Sequence, residues 1–306
     1  MKSLIYALNT KTERIYFKFN PWNNVIGLAR TFFGLALLVL LVFNPMKNIF
    51  LKSSDSNHLS KDNFLNIFSY LPDNYLYFEI IRWLFILILI LVVIGWRPKI
   101  TAIPHVYIAY CINSGGMVID GGEQVGYIFA LLLLPILLFD KRKWHWENRK
   151  PSKSYSNLLA YVTYVFIRIQ VAIIYLHSFS GKIYNDDWIN GTAVYYYLND
   201  PMLGSMPILD FIIEPILQSP LIALITWVAL IIQLVLVCGL FLDKKYWNIM
   251  FWFAILFHES IAIFLGLFTF SLAMVGALII YLHPLDKEFK FNFIKKFLTK
   301  GKENEI

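Results

Sequence analysis

The sequence predicts an all-α polytopic membrane protein, a bundle of about eight transmembrane helices with short extracytoplasmic interfacial helices and both termini cytoplasmic. Three observations lead to this fold class. Hydrophobic residues make up 58% of the 306 residues and charged residues 15%, which is not the balance of a soluble domain of this length. The apolar residues form blocks of about 20, the length that crosses about 30 Å of hydrocarbon as a helix. Most of the charges lie between the blocks, and their sign differs from one connection to the next.

Eight apolar segments account for this pattern, and each is expected to be one spanning helix. They cover residues 24–43, 78–96, 100–117, 124–139, 157–178, 220–241, 247–264 and 267–283. The first segment is too long for the apolar part of a signal peptide and lacks a small-residue cleavage site, so we expect it to remain in the chain. Pro104 interrupts the third segment and the fourth is short. The alternative for residues 100–139 is therefore a broken or re-entrant hairpin.

The charges of the connections determine the expected orientation. Lys and Arg dominate the segment before residue 24, the connections 97–99, 140–156 and 243–246, and the tail 284–306, whereas 114–123 and 179–219 are acidic. Basic connections stay on the cytoplasmic side of a membrane. An even number of spans with both termini cytoplasmic satisfies all of them. We therefore expect residues 1–306 to form a single membrane domain that ends in a basic cytoplasmic tail.

Two of the expected outer segments are long enough to hold structure of their own. Residues 44–77 are polar and predict a loop with one short helix near 61–70. Residues 185–219 contain Trp188 and three consecutive tyrosines, Tyr195 to Tyr197, and are interrupted by prolines. Because Trp and Tyr are well accommodated at the level of lipid headgroups, this segment predicts short interfacial helices over the bundle.

Composition also bears on the kind of chemistry. Cys111 and Cys238 lie alone in different apolar blocks, so neither a disulfide scaffold nor a thiol-exchange motif is expected, and both are predicted to be buried structural thiols. No phosphate-binding loop, dinucleotide fingerprint, nucleophile elbow or His/Cys metal spacing is present. We expect no metal site. The net charge of +7 comes from the connections and does not indicate a nucleic-acid partner.

The fifth segment contains the most informative charge. An unpaired Arg in hydrocarbon costs about 2.5–3.5 kcal/mol on insertion scales, so Arg168 is expected to face other helices or a wet cavity. Tyr175 and Lys182 follow at seven-residue intervals on the same helix face, with Gln170 nearby. One interpretation is a polar seam lining a central cavity, with Lys182 as a base. The other is that Arg168 ties helices together through carbonyls, Gln170 or Glu259, while Lys182 only reaches the interface.

Several further polar residues have two interpretations each. His258 and Glu259 are adjacent in the seventh segment and point about 100° apart, so they do not suit one metal. His258 is a candidate for proton transfer or ligand binding, and a helix-joining hydrogen bond is the alternative. His177 is expected on the face of its helix opposite Arg168. Arg30 and Arg82 are expected to reach the membrane surface, and Glu123 to lie at a helix N-terminus.

A set of short motifs resembles a known family when taken in order. The motifs are Leu28-Ala-Arg-Thr-Phe-Phe-Gly34, Gly95-Trp-Arg-Pro-Lys99, Asp120-Gly-Gly-Glu-Gln124, Ile167-Arg-Ile-Gln170 with Tyr175, Gly181-Lys182, Trp188-Ile-Asn-Gly-Thr-Ala193, Phe257-His258 and Phe268-Thr-Phe270. Together they resemble the HTTM family, the membrane region of vitamin K-dependent gamma-carboxylase, and within it the SdpB-like antimicrobial peptide maturation proteins. The resemblance covers residues 24–283.

The resemblance implies a function and a set of site residues. It implies a component of the cytoplasmic membrane of a bacterium. With a small partner protein, this component would mature or export a secreted, SdpC-like peptide toxin from its peptide precursor. The resemblance also implies Lys182 as the base of a carboxylase-like or quinone-dependent enzyme, with a quinone or vitamin K-like cofactor. A non-catalytic binding or immunity protein is a third possibility. Catalytic candidates are Lys182 and His258, and the cavity candidates are Arg168, Gln170, Tyr175, Trp188 and Glu259.

Overall fold

The structure, a computed structural model, is a bundle of helices connected by turns and short helices. It describes residues 10, 12–13, 15–17, 19–50, 63–72, 74–116, 120–147, 155–205 and 207–289. Within these residues the only strand-like pairing is an isolated bridge between Trp96 and Trp144. The predicted all-α fold class is confirmed for this part of the chain.

The long helices follow the predicted apolar segments. They are α1 Asn24–Phe43, α2 Tyr75–Val93, α3 Pro98–Gly115, α4 Gly122–Leu138, α5 Tyr155–Ile183, α6 Leu221–Cys238, α7 Lys244–Leu265 and α8 Phe268–Leu282. Five of them, α1, α2, α5, α6 and α7, are long and apolar enough to cross a membrane. Helices α3 and α4 are each continuous rather than broken, although Pro104 lies inside α3 and Pro135 inside α4.

The predicted outer segments also contain short helices. A 3₁₀-helix, Ile67–Tyr70, lies where one short helix was expected, and a further helical turn forms at Met46–Ile49. Residues 51–62, part of that prediction, are outside the described residues. The 185–219 segment contains the predicted short helices, which are Asp186–Ile189, Ala193–Leu198 and Asp210–Leu217.

Helix α8 lies at the centre of the bundle, in contact with α1, α4, α5 and α7. Every residue from Ala273 to Leu282 is buried. Gly276 permits the close contact with α1, because a Cβ there would lie 2.9 Å from Cε1 of Phe33 and 3.0 Å from the carbonyl oxygen of Ala29. Small residues at helix interfaces are typical of packing in lipid, where apolar burial between helices is a weak driving force.

The outer helices α2, α6 and α7 expose large apolar side chains. Leu87 on α2 is 62% exposed, Ile231 on α6 58% and Leu256 on α7 66%. Such a surface is far more apolar than a protein in water normally presents. It fits a bundle whose outer helices face lipid.

Three expectations about single residues are wrong. Arg30 is fully buried rather than at a surface, since it faces the interior of the bundle, where its Nη2 donates to Thr101 Oγ1 at 2.7 Å. Arg82 binds the end of α1 instead of extending to a surface, with Nη1 donating to the carbonyl of Leu41 at 2.7 Å. Cys238 is exposed because it lies on the outer face of α6 with exposed Ile231 and Leu234, whereas Cys111 is buried as expected.

The part of the basic connection after α4 that the structure describes, residues 140–147, is held by specific contacts. Arg142 donates to the carboxylate of Asp140, with Nη2 2.6 Å from Oδ2, and both side chains are buried. Its Nη1 also donates to the carbonyl of His145 at 2.7 Å. His145 is itself fully buried against Gly95, whose φ of +84° and missing Cβ make room for the imidazole. The charge pair orders the start of this connection. Two backbone hydrogen bonds, from Arg97 N to the carbonyl of Lys143 at 2.7 Å and from His145 N to the carbonyl of Gly95 at 2.9 Å, hold it to the bundle.

Candidate functional site

The predicted seam of α5 has three different surroundings along its length. Arg168, Tyr175 and Lys182 occur on one helix at seven-residue intervals, but each contacts different neighbours. Gln170 is half-buried on the same helix, and His177 is exposed, in agreement with its predicted position away from this face.

Arg168 is enclosed by aromatic rings. Its guanidinium carbon lies 4.3 Å from the ring centroid of Trp247 on α7 and 5.6 Å from that of Tyr281 on α8. Its Nε and Nη2 have no hydrogen-bond partner among the described residues. Glu259 does not pair with it, because Trp247 and Glu259 are twelve residues apart on α7, about 18 Å along the axis. Cation–π contact therefore takes the place of the expected polar partner.

Tyr175 meets His258 between α5 and α7. The Tyr175 hydroxyl lies 2.8 Å from Nε2 of His258 in a buried hydrogen bond, and His258 also packs against the ring of Phe270. Nδ1 of His258 has no partner among the described residues. A phenol and an imidazole in this arrangement can exchange a proton or present the remaining ring nitrogen to a ligand.

Lys182 lies at the C-terminal end of α5. Its Nζ donates to Ser178 Oγ at 2.6 Å and lies 5.1 Å from the ring centroid of Trp188, which is buried. A cation at a helix C-terminus also interacts favourably with the helix dipole. The structure thus brings together two of the predicted site residues, Lys182 and Trp188, in a half-buried contact.

A cavity of about 770 Å³ opens at the end of the bundle where α4 and α8 begin. Its wall is largely apolar and includes Phe43, Ile112, Leu265 and Leu272. Three carboxyl groups line it as well, those of Asp120, Glu123 and Glu259, and we call this space the acidic cavity. Lys182, Tyr175 and His258 are not among its lining residues. Of the predicted site residues, Glu259 alone lines the acidic cavity.

Asp120 connects two helix N-termini at the wall of the acidic cavity. Its Oδ1 accepts from the backbone N–H of Gly122 in α4 at 2.8 Å, and its Oδ2 accepts from the N–H of Phe270 in α8 at 3.0 Å. The hydroxyl of Thr269 also donates to Oδ2. One carboxylate therefore satisfies free N–H groups of two helices, where negative charge is favoured by both dipoles.

Glu123 and Glu259 differ in their surroundings. Glu123 lies in the first turn of α4, as expected, and is only 5% exposed. Its Oε2 has no hydrogen-bond partner among the described residues. Glu259 is exposed, and its Oε1 accepts from Ser271 Oγ at 3.1 Å. Among the described residues, no group of three or more His, Cys, Asp or Glu side chains is arranged to hold a metal ion.

Sequence reasoning identified some of these groups but not their association. Asp120 and Glu123 appear in the sequence only as a short acidic turn, and Glu259 as the neighbour of an intramembrane His. The signal that was available is the Asp-Gly-Gly-Glu turn itself. Its second Gly has no room for a Cβ, which would lie 2.7 Å from the backbone nitrogen of Phe270. Two residues that sequence reasoning treated as surface groups, Arg30 and Arg82, are structural contacts inside the bundle.

The sequence of the chain is similar to those of two proteins of Bacillus subtilis (strain 168). It is 40% identical over 292 residues to the protein YitO of Bacillus subtilis (strain 168), covering 94% of each chain. It is 37% identical over 295 residues to the sporulation-delaying protein SdpB of the same organism, covering 94% of this chain and 90% of SdpB. No family model and no solved structure matches. The chain is therefore a membrane protein that belongs to the family of SdpB and YitO.

Proposed function

We propose that this protein is an integral membrane component of a peptide-toxin maturation or export system. The observation that carries the proposal is the 37% identity with the sporulation-delaying protein SdpB along 94% of the chain. A relation of this extent covers the acidic cavity and the Tyr175–His258 contact alike. The protein acts with a small partner protein on a secreted peptide precursor, and the acidic cavity receives part of the peptide or a lipid-like ligand.

The proposed topology has eight spans, with both termini cytoplasmic, in the cytoplasmic membrane of a bacterium. Helices α3, α4 and α8 are less apolar or shorter than the five candidate spans, but each packs against at least one of them. The chain ends of the bundle support the same arrangement. Asn23 before α1 donates to the carbonyl of Leu285 after α8 at 2.6 Å, which supports the placement of both ends of the span region on one side of the membrane. We further propose that the fold is that of the HTTM family.

The proposed function is tested by deleting the gene and following a toxin precursor encoded beside it. We expect the precursor to accumulate without the mature peptide, and the wild-type gene supplied in trans to restore it. Normal amounts of mature peptide in the deletion strain contradict the proposal. The variant Glu214→Gln, an exposed acid away from the acidic cavity, serves as the complementing control.

A second candidate function is a quinone-dependent oxidoreductase or carboxylase-like enzyme. The unpartnered Nδ1 of His258 beside a buried tyrosine favours it, because such a pair can move a proton. Lys182 is the proposed base. An always-charged guanidinium cannot replace a base but can replace an anchoring cation. Loss of peptide maturation in Lys182→Arg therefore supports catalysis. Maturation that is retained in Lys182→Arg and lost in Lys182→Ala supports anchoring in a non-catalytic binding or immunity protein.

A further inference from the structure

The acidic cavity has an unbalanced charge. Its three carboxyl groups come from the turn before α4, from α4 itself and from α7. None of the described residues that line it is Lys, Arg or His. Negative groups that converge on a concave, largely apolar space attract cations, because the surrounding low-dielectric wall screens them poorly.

The hydrogen bonds around the acidic cavity separate a structural carboxylate from two that are available. Both oxygens of Asp120 accept from backbone N–H groups at the starts of α4 and α8, so Asp120 is engaged in holding the fold. Glu123 is 95% buried, and its Oε2 has no partner among the described residues. Leaving a buried carboxylate oxygen without a donor is unfavourable. Glu259, exposed on the facing helix, adds a second acceptor.

The missing donor is better supplied by an organic cation than by a metal ion. The described His, Cys, Asp and Glu side chains do not form a group arranged for metal binding. The apolar part of the wall, which includes Phe43, Ile49, Leu265 and Leu272, suits a hydrocarbon body attached to the charged group. The volume of about 770 Å³ lies within the range of small-molecule pockets. It therefore accommodates a few residues rather than a folded partner.

We propose that the acidic cavity binds an ammonium or guanidinium group carried on an apolar body, with Glu123 and Glu259 as the acceptors. In the proposed function this group belongs to a basic residue of the peptide, so the identity of the occupant as a peptide rests on that function. The preference for a cation does not rest on the proposed function, because it can be measured on the purified protein.

The test measures binding to the full chain in phosphatidylcholine nanodiscs, which present no primary amine. The probe is a fluorescent five-residue peptide with a central lysine among leucines, and its reference is the same peptide with norleucine in place of lysine. Empty nanodiscs give the background from partition into lipid. Glu123→Gln, Glu259→Gln and the double variant keep size and hydrogen bonding, and Glu214→Gln is the matched control. A melting curve of each variant establishes that it is folded.

We expect wild type and Glu214→Gln to bind the lysine peptide at least about tenfold more tightly than the norleucine peptide, the effect of one charge-assisted hydrogen bond. The preference should fall in each single variant and disappear in the double variant. Equal binding of the two peptides by wild type overturns the proposal, as does an undiminished preference in a folded double variant.

A second arm distinguishes the source of the cation. Nanodiscs that contain phosphatidylethanolamine offer the same ammonium group on a lipid. Suppose that this lipid weakens binding of the lysine peptide to wild type but not to the double variant. This result supports the cation site and contradicts a selective preference of the site for the peptide. If this lipid has no effect, the peptide is supported. Normal toxin maturation in the deletion strain together with an intact binding preference overturns the proposed function alone. Lost maturation in the deletion strain together with equal binding of the two peptides by wild type overturns the cation site alone.

Discussion

Whichever tautomer His258 adopts, its contact with Tyr175 leaves one ring nitrogen without a partner among the described residues. If Tyr175 donates to Nε2, the proton is on Nδ1 and has no acceptor. If Nε2 donates to Tyr175, the lone pair of Nδ1 has no donor. A buried polar atom of this kind is unfavourable in a stable core. At the scale of the residue, it indicates a position kept for exchange with a ligand or a proton.

Tyr175→Phe should lower the free energy of unfolding by about 1–3 kcal/mol, because it leaves Nε2 of His258 buried without its partner. The double variant Tyr175→Phe/His258→Leu should lose less than the sum of the two single losses. Thermal unfolding in detergent measures these values. Tyr184→Phe, at a position that is 87% exposed, is the matched control. Additive losses would show that the two side chains do not interact.

For Arg30 we predict the opposite effect, namely that removing the polar group does not lower stability. The reason is that its charge is buried and incompletely paired. Nε and Nη1 have no partner among the described residues, while Thr101 Oγ1 also donates to the carbonyl of Trp96 at 3.0 Å and keeps this bond without Arg30. A buried charge without a carboxylate partner carries a desolvation penalty of several kcal/mol, which an apolar side chain of similar volume does not carry. We expect Arg30→Met to melt at or above the wild-type temperature, and Arg30→Lys to melt below it. A large loss in Arg30→Met alone would contradict this account.

At the scale of the element, the starts of α4 and α8 form one unit around Asp120. Asp120 accepts from both helices, and Gly122 brings them into contact. Their approach depends on the absence of a side chain at residue 122, whereas residue 126, one turn later, faces open space.

Two glycine substitutions on α4 therefore test this junction. Gly122→Ala places a Cβ 2.7 Å from the backbone nitrogen of Phe270 and 2.8 Å from the carbonyl carbon of Thr269, so it should destabilise the fold by about 1–3 kcal/mol. Gly126→Ala has nothing within 4 Å of the new Cβ and should be neutral or stabilising by up to about 1 kcal/mol through helix propensity. The melting temperatures of the two variants test this prediction. Equal effects of the two substitutions would contradict the close contact between residue 122 and the start of α8.

The connection after α4 predicts a pH dependence of stability. Burial, followed by the nearby charges of Arg30 and Arg142, holds the pKa of His145 well below its usual value. In the unfolded chain the imidazole titrates near pH 6.5. Between these two pKa values the unfolded state binds a proton that the folded state does not. The contribution of neutral His145 is therefore fully present above about pH 6.5 and is lost as the pH falls.

We expect His145→Gln to lose stability less steeply than wild type as the pH falls from about 6.5 toward 5. Melting temperatures over this range, measured in one detergent, give the two slopes. His177→Gln, which changes an exposed imidazole on α5, should keep the wild-type slope. Identical slopes for all three proteins would remove His145 as the cause.

At the scale of the whole molecule, the expected orientation can be checked with single cysteines. In a background where Cys111 and Cys238 are replaced by Ala, Ser205→Cys should react with an impermeant maleimide on intact cells. Ser152→Cys should react only after the membrane is opened, because the basic connection 140–156 is expected inside. Labelling of Ser152→Cys from outside intact cells would contradict the expected topology.

The sequence predicts where the helices lie along the chain better than it predicts which helices contact each other. The length and the composition of the apolar segments are enough to predict the long helices. The thickness of the hydrocarbon layer determines their length, and solvation by lipid determines their apolar composition. The face of α5 is also predictable, because helical periodicity separates Tyr175 from exposed His177. Contacts such as Tyr175–His258 are not, since 83 residues separate the partners. Arg30 shows the same limit, because hydropathy gives its depth but not the direction in which it points.

The central position of α8 determines when the molecule can be completed during synthesis. This helix, the last long helix of the described chain to leave the ribosome, fills the space between α1, α4, α5 and α7. Helix α1 is made first, and its face around Ala29 and Phe33 is covered only when Gly276 of α8 arrives. Until then the earlier helices are in the bilayer without their common core. A chain that stops before Phe268 therefore leaves Asp120 with one of its three described donors, the N–H of Gly122, and the bundle open along its axis.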